Sequence, residues 1–171
     1  MKMNQPPKDF YDPEYLKNAR KSKWYDVVTR NLTKCPFCDL KEKYIIKEVG
    51  GMVLTVNLFP YIDGHLMVVP KRHVELFDDL NKAEWEACHY LINLGMKIIR
   101  KQYNIDNINV LYREGKSAGA SLKHFHIHIL PITNAFMKYE NQKFTWTFQD
   151  IELAPLEEAE MLRKTCQEIM R

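Results

Sequence analysis

Apolar and polar positions alternate strictly along Lys123-His124-Phe125-His126-Ile127-His128-Ile129-Leu130. Period two is the strand period, so the pattern predicts one strand face carrying His124, His126 and His128 and the other carrying Phe125, Ile127 and Ile129. Period-two and short apolar runs also predict strands over Tyr44 to Glu48, Met52 to Asn57, His65 to Val69 and Asn107 to Tyr112. Gly50-Gly51 forms the turn between the first two. Between the third and fourth, Trp85, Cys88, His89, Ile92, Met96, Ile99 and Tyr103 recur at helical spacing, which predicts a helix over 82–103 with one buried stripe. Asp12-Pro13-Glu14 reads as a helix start, with Asp12 as N-cap and Pro13 in the first turn. After Pro131 the pattern gives a loop, a short strand near Phe144 to Phe148 and a helix from about Pro155. These elements predict an α+β domain.

Three histidines in register change the picture from architecture to chemistry. On a strand, same-face residues sit roughly 6.5–7 Å apart. That spacing lets neighbouring imidazoles act on successive atoms of an extended ligand such as a phosphate chain. It does not suit one ion held by all three, although two of them with a third ligand from elsewhere could form a tri-histidine metal centre. A purely structural row is the plainest alternative. The second chemical signal is Cys35-Pro36-Phe37-Cys38, in a chain with only two other cysteines, Cys88 and Cys166. A C-x-x-C pair serves as a redox dithiol or as half of a zinc site. Here it precedes a strand rather than opening a helix, which favours two thiolates presented to a metal.

With the block Val56-Asn57-Leu58-Phe59-Pro60-Tyr61-Ile62-Asp63-Gly64-His65-Leu66-Met67-Val68-Val69-Pro70-Lys71-Arg72-His73 and the approach Gly119-Ala120-Ser121-Leu122-Lys123, these segments resemble the histidine-triad (HIT) superfamily. Its signature of three histidines alternating with apolar residues is matched at every position from His124 to Leu130. The resemblance covers about residues 35–131, read as the core domain. Residues 1–34 are read as an N-terminal helical extension and 132–171 as a C-terminal extension packed on the core. The resemblance implies an antiparallel five-stranded sheet with one long helix across a face, and a symmetric homodimer.

It also implies roles. His126 is the expected nucleophile toward the α-phosphorus of a nucleotide, and His128 the residue that binds the phosphate and assists the leaving group. Asn57, Gly119 and Ser121 are expected to bind nucleotide or phosphate, with His65 in a supporting hydrogen-bond shell. Lys116 and Lys123 are candidate phosphate charges or plain surface lysines. Zinc-bearing branches imply a structural zinc site from Cys35, Cys38, His73 and His124; Cys88 and His89, on the helical stripe, are read as core or helix-flank residues. The wording is closest to bacterial and archaeal members related to diadenosine-polyphosphate hydrolases and phosphorylases. Ala120 replaces the Gln of the fragile-histidine-triad type. The third histidine is retained where uridylyltransferase-like branches have Gln, and no Pro-Arg-Trp follows Pro131. The expected function is cleavage of an adenine (di)nucleotide polyphosphate through a nucleotidyl-histidine. A phosphoramidase and a slow nucleotide sensor are the alternatives.

Composition fits this reading without sharpening it. The chain has 171 residues, 46% hydrophobic and 27% charged, which suits one soluble domain with extensions. With no apolar leader after Met1-Lys2-Met3 and no uncharged run of membrane length, the expectation is a cytoplasmic protein with no membrane partner. A formal charge of +3 is too small to imply a nucleic-acid partner by itself, and none is expected. The charge is nevertheless uneven. Lys17, Arg20, Lys21, Lys23, Arg30 and Lys34 surround Trp24 and Tyr25. Basic residues beside aromatics suit a polyphosphate or RNA, whereas a solvated helix face is the plainer reading.

Overall fold

The computed structural model describes residues 11–22, 24–141 and 143–171 except residue 31, and the side chains of Arg30 and Lys116 lie outside the description. Lys23 of the basic cluster therefore lies outside the described residues. Two short helices, α1 (Pro13–Asn18) and α2 (Trp24–Arg30), precede the sheet. The Asp12 side chain accepts from the Glu14 and Tyr15 amides, capping α1 as the sequence suggests. Strands β1 (Ile45–Val49), β2 (Met52–Val56) and β3 (Leu66–Pro70) are followed by the long helix α3 (Lys82–Tyr103). Then come β4 (Ile108–Tyr112), β5 (Ile127–Pro131), a hairpin of β6 (Met137–Glu140) and β7 (Lys143–Trp146), and α4 (Pro155–Ile169). The main sheet has the order β1-β2-β3-β5-β4, and every neighbouring pair is antiparallel.

The β1–β2 turn needs two successive residues at positive φ, and Gly50 (55°) and Gly51 (80°) supply them. Helix α3 starts where Asn81 and Glu84 cap each other reciprocally and ends at Asn104, which adopts a left-handed conformation. Its buried stripe is Ala87, Cys88, Leu91, Leu94, Gly95, Ile98 and Ile99. The face is rotated from the predicted one, because Trp85 is 44% exposed and His89 is exposed, hydrogen-bonded to Asn93. A Cβ at Gly95 would come 2.7 Å from Ile129 Cδ1, so the helix lies close enough to the sheet that any larger residue would force the Ile129 side chain to shift.

Strand alternation divides the sheet into two faces. Leu54, Val56, Leu66, Val68, Ile127 and Ile129 pack with α3 and with Ala159 and Leu162 of α4 in the main core. Each such fully buried aliphatic side chain contributes about 1.5–3 kcal/mol. On the opposite face Val53, Met67 and Val69 pack with Phe37 and Leu40 from the N-terminal turn. The third apolar cluster, Ile62, Leu130 and Phe136, seats the β6–β7 hairpin. The histidines belong to the face opposite the helices, which the N-terminal segment covers.

Regular strand begins only at Ile127, later than the alternation predicts. The Phe125 amide donates to Val74 O at 2.7 Å, and the His124 carbonyl accepts from its neighbour's imidazole. Those backbone groups are thereby withdrawn from the sheet ladder. Phe125, Ile127 and Ile129 still enter the main core, so the predicted facing holds without regular pairing. Tyr44 likewise ends a 3-10 turn rather than starting β1.

Candidate active site and metal cluster

The stretch from His124 to His128 serves two separate arrangements. At its start, His124 meets Cys35 and Cys38 from the N-terminal turn and His73 from the loop after β3. One donor atom from each of the four lies within 4.8 Å of the others. His124 Nδ1 is 3.3 Å from Cys35 Sγ and 3.6 Å from Cys38 Sγ, and His73 Nδ1 is 3.3 Å from Cys38 Sγ. Tetrahedral zinc, with bonds of about 2.0–2.3 Å, sets its ligand atoms roughly 3.3–3.8 Å apart. The spacings of this donor set fit. The tautomer fits too, because His124 Nε2 donates to Pro70 O at 3.0 Å and so leaves the Nδ1 lone pair toward the sulfurs. Burial lowers the pKa of His124 to about 4, which keeps that lone pair free.

The loop carrying His73 is tied to α3 through Arg72. Arg72 donates from Nε and Nη2 to the two oxygens of Glu84, each at 2.6 Å. The same Glu84 closes the N-terminal cap of α3. The Asn81–Glu84 cap is local in sequence, whereas the partner Arg72 lies twelve residues away.

Two residues on, His126 uses the opposite nitrogen. Its Nδ1 donates to the His124 carbonyl at 2.7 Å, so Nε2 carries the lone pair. Burial, reinforced by Arg113, holds its pKa below the ordinary value, which keeps the ring neutral. His128, paired across β5 with Met67 and Leu111, stands next, with its ring centroid 4.8 Å from that of His126.

A chain of hydrogen bonds sets the proton on His128. The Tyr61 amide donates to His65 Nδ1 at 3.2 Å, which places the proton of a neutral His65 on Nε2. That nitrogen lies 2.9 Å from His128 Nδ1 and donates to it. His128 therefore carries its own proton on Nε2. Desolvation lowers the pKa of His65 well below the ordinary value and that of His128 to about 2. Stacking of Tyr61 on His65, with centroids 5.1 Å apart, fixes the ring further. Beneath this loop the buried Glu158 of α4 accepts from the Gly64 amide and from Tyr103 Oη.

A cleft lined by Asn57, Phe37, Gly119, Ser121, His126 and His128 opens on this row. Of the expected site residues, it brings together His126, His128, Asn57, Gly119 and Ser121, while His65 stands behind His128. Asn57 Oδ1 accepts from the Phe59 amide at 2.8 Å, and Nδ2 faces His65. The Ser121 hydroxyl bonds that of Tyr25. Lys123 is exposed beside Glu75, and the Lys116 side chain lies outside the described residues. Arg20, Tyr25, Tyr61 and Arg113 also line the cleft and were not singled out as site residues. Arg113, placed between a predicted strand and the glycine loop before the triad, carried a usable signal. Arg20 and Tyr25 carried only the basic-aromatic composition of their segment.

Comparison with known proteins adds the following. The HIT domain family model matches residues 40–135. An uncharacterized HIT-like protein of Mycoplasma genitalium is 33% identical over 118 residues, covering 65% of this chain and 77% of that protein. A bis(5'-adenosyl)-triphosphatase of Dictyostelium discoideum is 37% identical over 76 residues, covering 44% of this chain and 51% of that one. The chain thus spans about half the length of that enzyme. The solved structure of a Zn-bound histidine triad family protein from Mycobacterium smegmatis superposes with a TM-score of 0.64 at 20% identity, covering 80% of this chain and 96% of that one. Among the described residues no helix is long and apolar enough to cross a membrane.

Proposed function

This chain belongs to the HIT domain family, and on that premise we propose that it cleaves the α-phosphate linkage of an adenine (di)nucleotide polyphosphate, with His126 as the covalent nucleophile. The observation that carries the reading is the bond from His126 Nδ1 to the His124 carbonyl, which commits the Nε2 lone pair; the cleft beside it is lined by His126 and His128. The name of the triphosphatase relative supports the substrate class.

In the first step Nε2 donates its lone pair to the α-phosphorus. A P–N bond forms, the P–O bond to the leaving group breaks, and the leaving oxygen keeps that electron pair. The Nδ1 proton, shared with a carbonyl, delocalises positive charge from the nucleotidylated ring. The Nε2 proton of His128 stabilises the departing oxygen by a hydrogen bond, enough for a phosphate that leaves as an anion. Water then attacks the phosphorus, its proton passes to solvent, and the P–N electron pair returns to Nε2. Asn57 holds His65, and Gly119 and Ser121 face the phosphate.

Cys35, Cys38, His73 and His124 would hold a structural zinc ion. Four protein ligands would leave no open position, so such an ion would anchor the N-terminal turn over the sheet rather than act on the substrate. A symmetric dimer, with α3 offering Trp85 and Tyr90 outward, belongs to the same proposal.

The test is a panel of AMP esters, nucleoside triphosphates, diadenosine polyphosphates and adenosine phosphoramidate, run with and without inorganic phosphate and read by product mass. Release of AMP from the polyphosphates supports the reading, and ADP formed only with phosphate identifies phosphorolysis. Turnover of the phosphoramidate alone would move the substrate class, and no turnover of any compound would remove the enzyme.

A further inference from the structure

The mechanism leaves two cations of the cleft unused. Arg20 comes from the N-terminal extension, outside the residues matched by the family model. Its guanidinium carbon lies 3.6 Å from the centre of the Tyr61 ring and 4.0 Å from that of Tyr25. Its Nε donates to Phe59 O at 2.6 Å. Two aromatic faces and one carbonyl therefore hold a planar cation in place and leave its outer N–H donors available. Arg113, from the loop after β4, reaches the Tyr61 hydroxyl at 3.4 Å. Among the described residues neither guanidinium forms an ion pair with a carboxylate.

Both arginines line the cleft with His126 and His128. Their fields reach the row, since each pushes the pKa values of His65 and His128 down. Arg20 and Tyr25 also line a second, outer groove, with Lys21, Asp26, Trp146 and Phe148. Lys21 is already paired with Asp150. A substrate whose attacked phosphorus lies at His126 can therefore run its remaining atoms past Arg20. Arg20, held by two rings and a carbonyl, with Arg113 beside it at the cleft, suits phosphate oxygens, which a guanidinium engages in bidentate fashion.

We propose that Arg20, together with Arg113, forms the subsite for the anionic leaving portion of the substrate, so that the N-terminal extension makes the site selective for nucleotides bearing further phosphates. The proposal rests on the nucleotide reading above and deepens it. A purely structural role, in which Arg20 only fastens the extension to the core, accounts for its ring contacts but predicts no dependence on phosphate number.

The experiment is calorimetric titration of the full, metal-replete chain with AMP and with ATP, repeated for Arg20→Gln, Arg20→Lys and Arg113→Gln after thermal melts confirm folding. Wild-type protein should bind ATP at least about tenfold more tightly than AMP, the scale of one or two charge-assisted hydrogen bonds. Arg20→Gln should reduce that ratio by most of this factor, Arg113→Gln should reduce it in the same direction, and Arg20→Lys should keep part of it. An unchanged ratio in Arg20→Gln, or equal weakening of both ligands, overturns the subsite in favour of the fastening role. The wild-type ratio decides even if a variant fails to fold, because equal affinity for ATP and AMP overturns the subsite by itself. Failure of wild-type protein to bind either nucleotide removes the nucleotide reading and the subsite with it.

Discussion

His124 and His126 are two residues apart and both buried, yet each turns a different nitrogen to its task. His124 gives its Nε2 proton to the Pro70 carbonyl and offers Nδ1 to two sulfurs. His126 gives its Nδ1 proton to the His124 carbonyl and offers Nε2 to the cleft. One backbone carbonyl in each case selects the tautomer. In the proposed function, identical side chains serve as ligand and nucleophile according to their hydrogen-bond acceptors. His128 extends the same logic, since its acceptor nitrogen is engaged by His65 and its proton is left outward.

Breaking the reactive half should give the largest effect. His126→Ala should lose about three or more orders of magnitude in turnover while keeping its metal and melting near wild type. Rate assays beside metal analysis check both halves, and coupled loss of metal and activity would contradict the division. Breaking the other half should reverse the pattern. Protein purified without added metal should hold about one zinc per chain, and Cys35→Ser should lose it with about 2 kcal/mol or more of stability. Denaturant unfolding with zinc analysis checks this, and folded active protein free of zinc would remove the metal site.

The orienting shell should give an intermediate effect. His65→Phe removes the donor to His128 Nδ1 and should lower turnover by about ten- to a hundredfold. The loss should shrink for substrates with better leaving groups, and a loss independent of the leaving group would mean that His65 only supports the fold. The smallest effect concerns Glu158, under the His65 loop. Burial raises its pKa to about 7, above the unfolded value of about 4.3. The folded chain then keeps a proton that the unfolded chain has released. That stabilisation is full below about pH 4.3 and is lost as pH rises through 7. Relative to Glu158→Gln, wild-type protein should lose up to about 1 kcal/mol per pH unit between pH 5 and 7. Denaturant midpoints across that range measure it, and a parallel pH dependence of the two proteins would contradict it.

The sequence made some of this legible and hid the rest for physical reasons. Helix α3 is legible over 82–103 because its apolar residues recur at helical spacing, whereas spacing alone does not say that Trp85, at 44% exposure, lies off the buried face. The C-x-x-C pair and the triad were readable because their spacing is short. The β6–β7 hairpin was half missed: Met137–Glu140 and Lys143–Trp146 are largely exposed, and Tyr139 and Phe144 pair outside the core. A strand without a buried face leaves little periodic signal. Arg20 and Tyr25 reach Phe59 and Ser121 across long separations in sequence, and no local pattern encodes such contacts. The late start of β5 was hidden because the carbonyl that leaves the ladder is taken by a side chain.

The division of labour between neighbouring histidines is tested most directly by trapping the intermediate. Wild-type protein mixed with diadenosine polyphosphate and quenched in alkaline denaturant should carry one AMP in excess mass, mapped by peptide sequencing to His126 and absent from His126→Ala. An adduct on His124 or His128, or near wild-type turnover by His126→Ala, would contradict it.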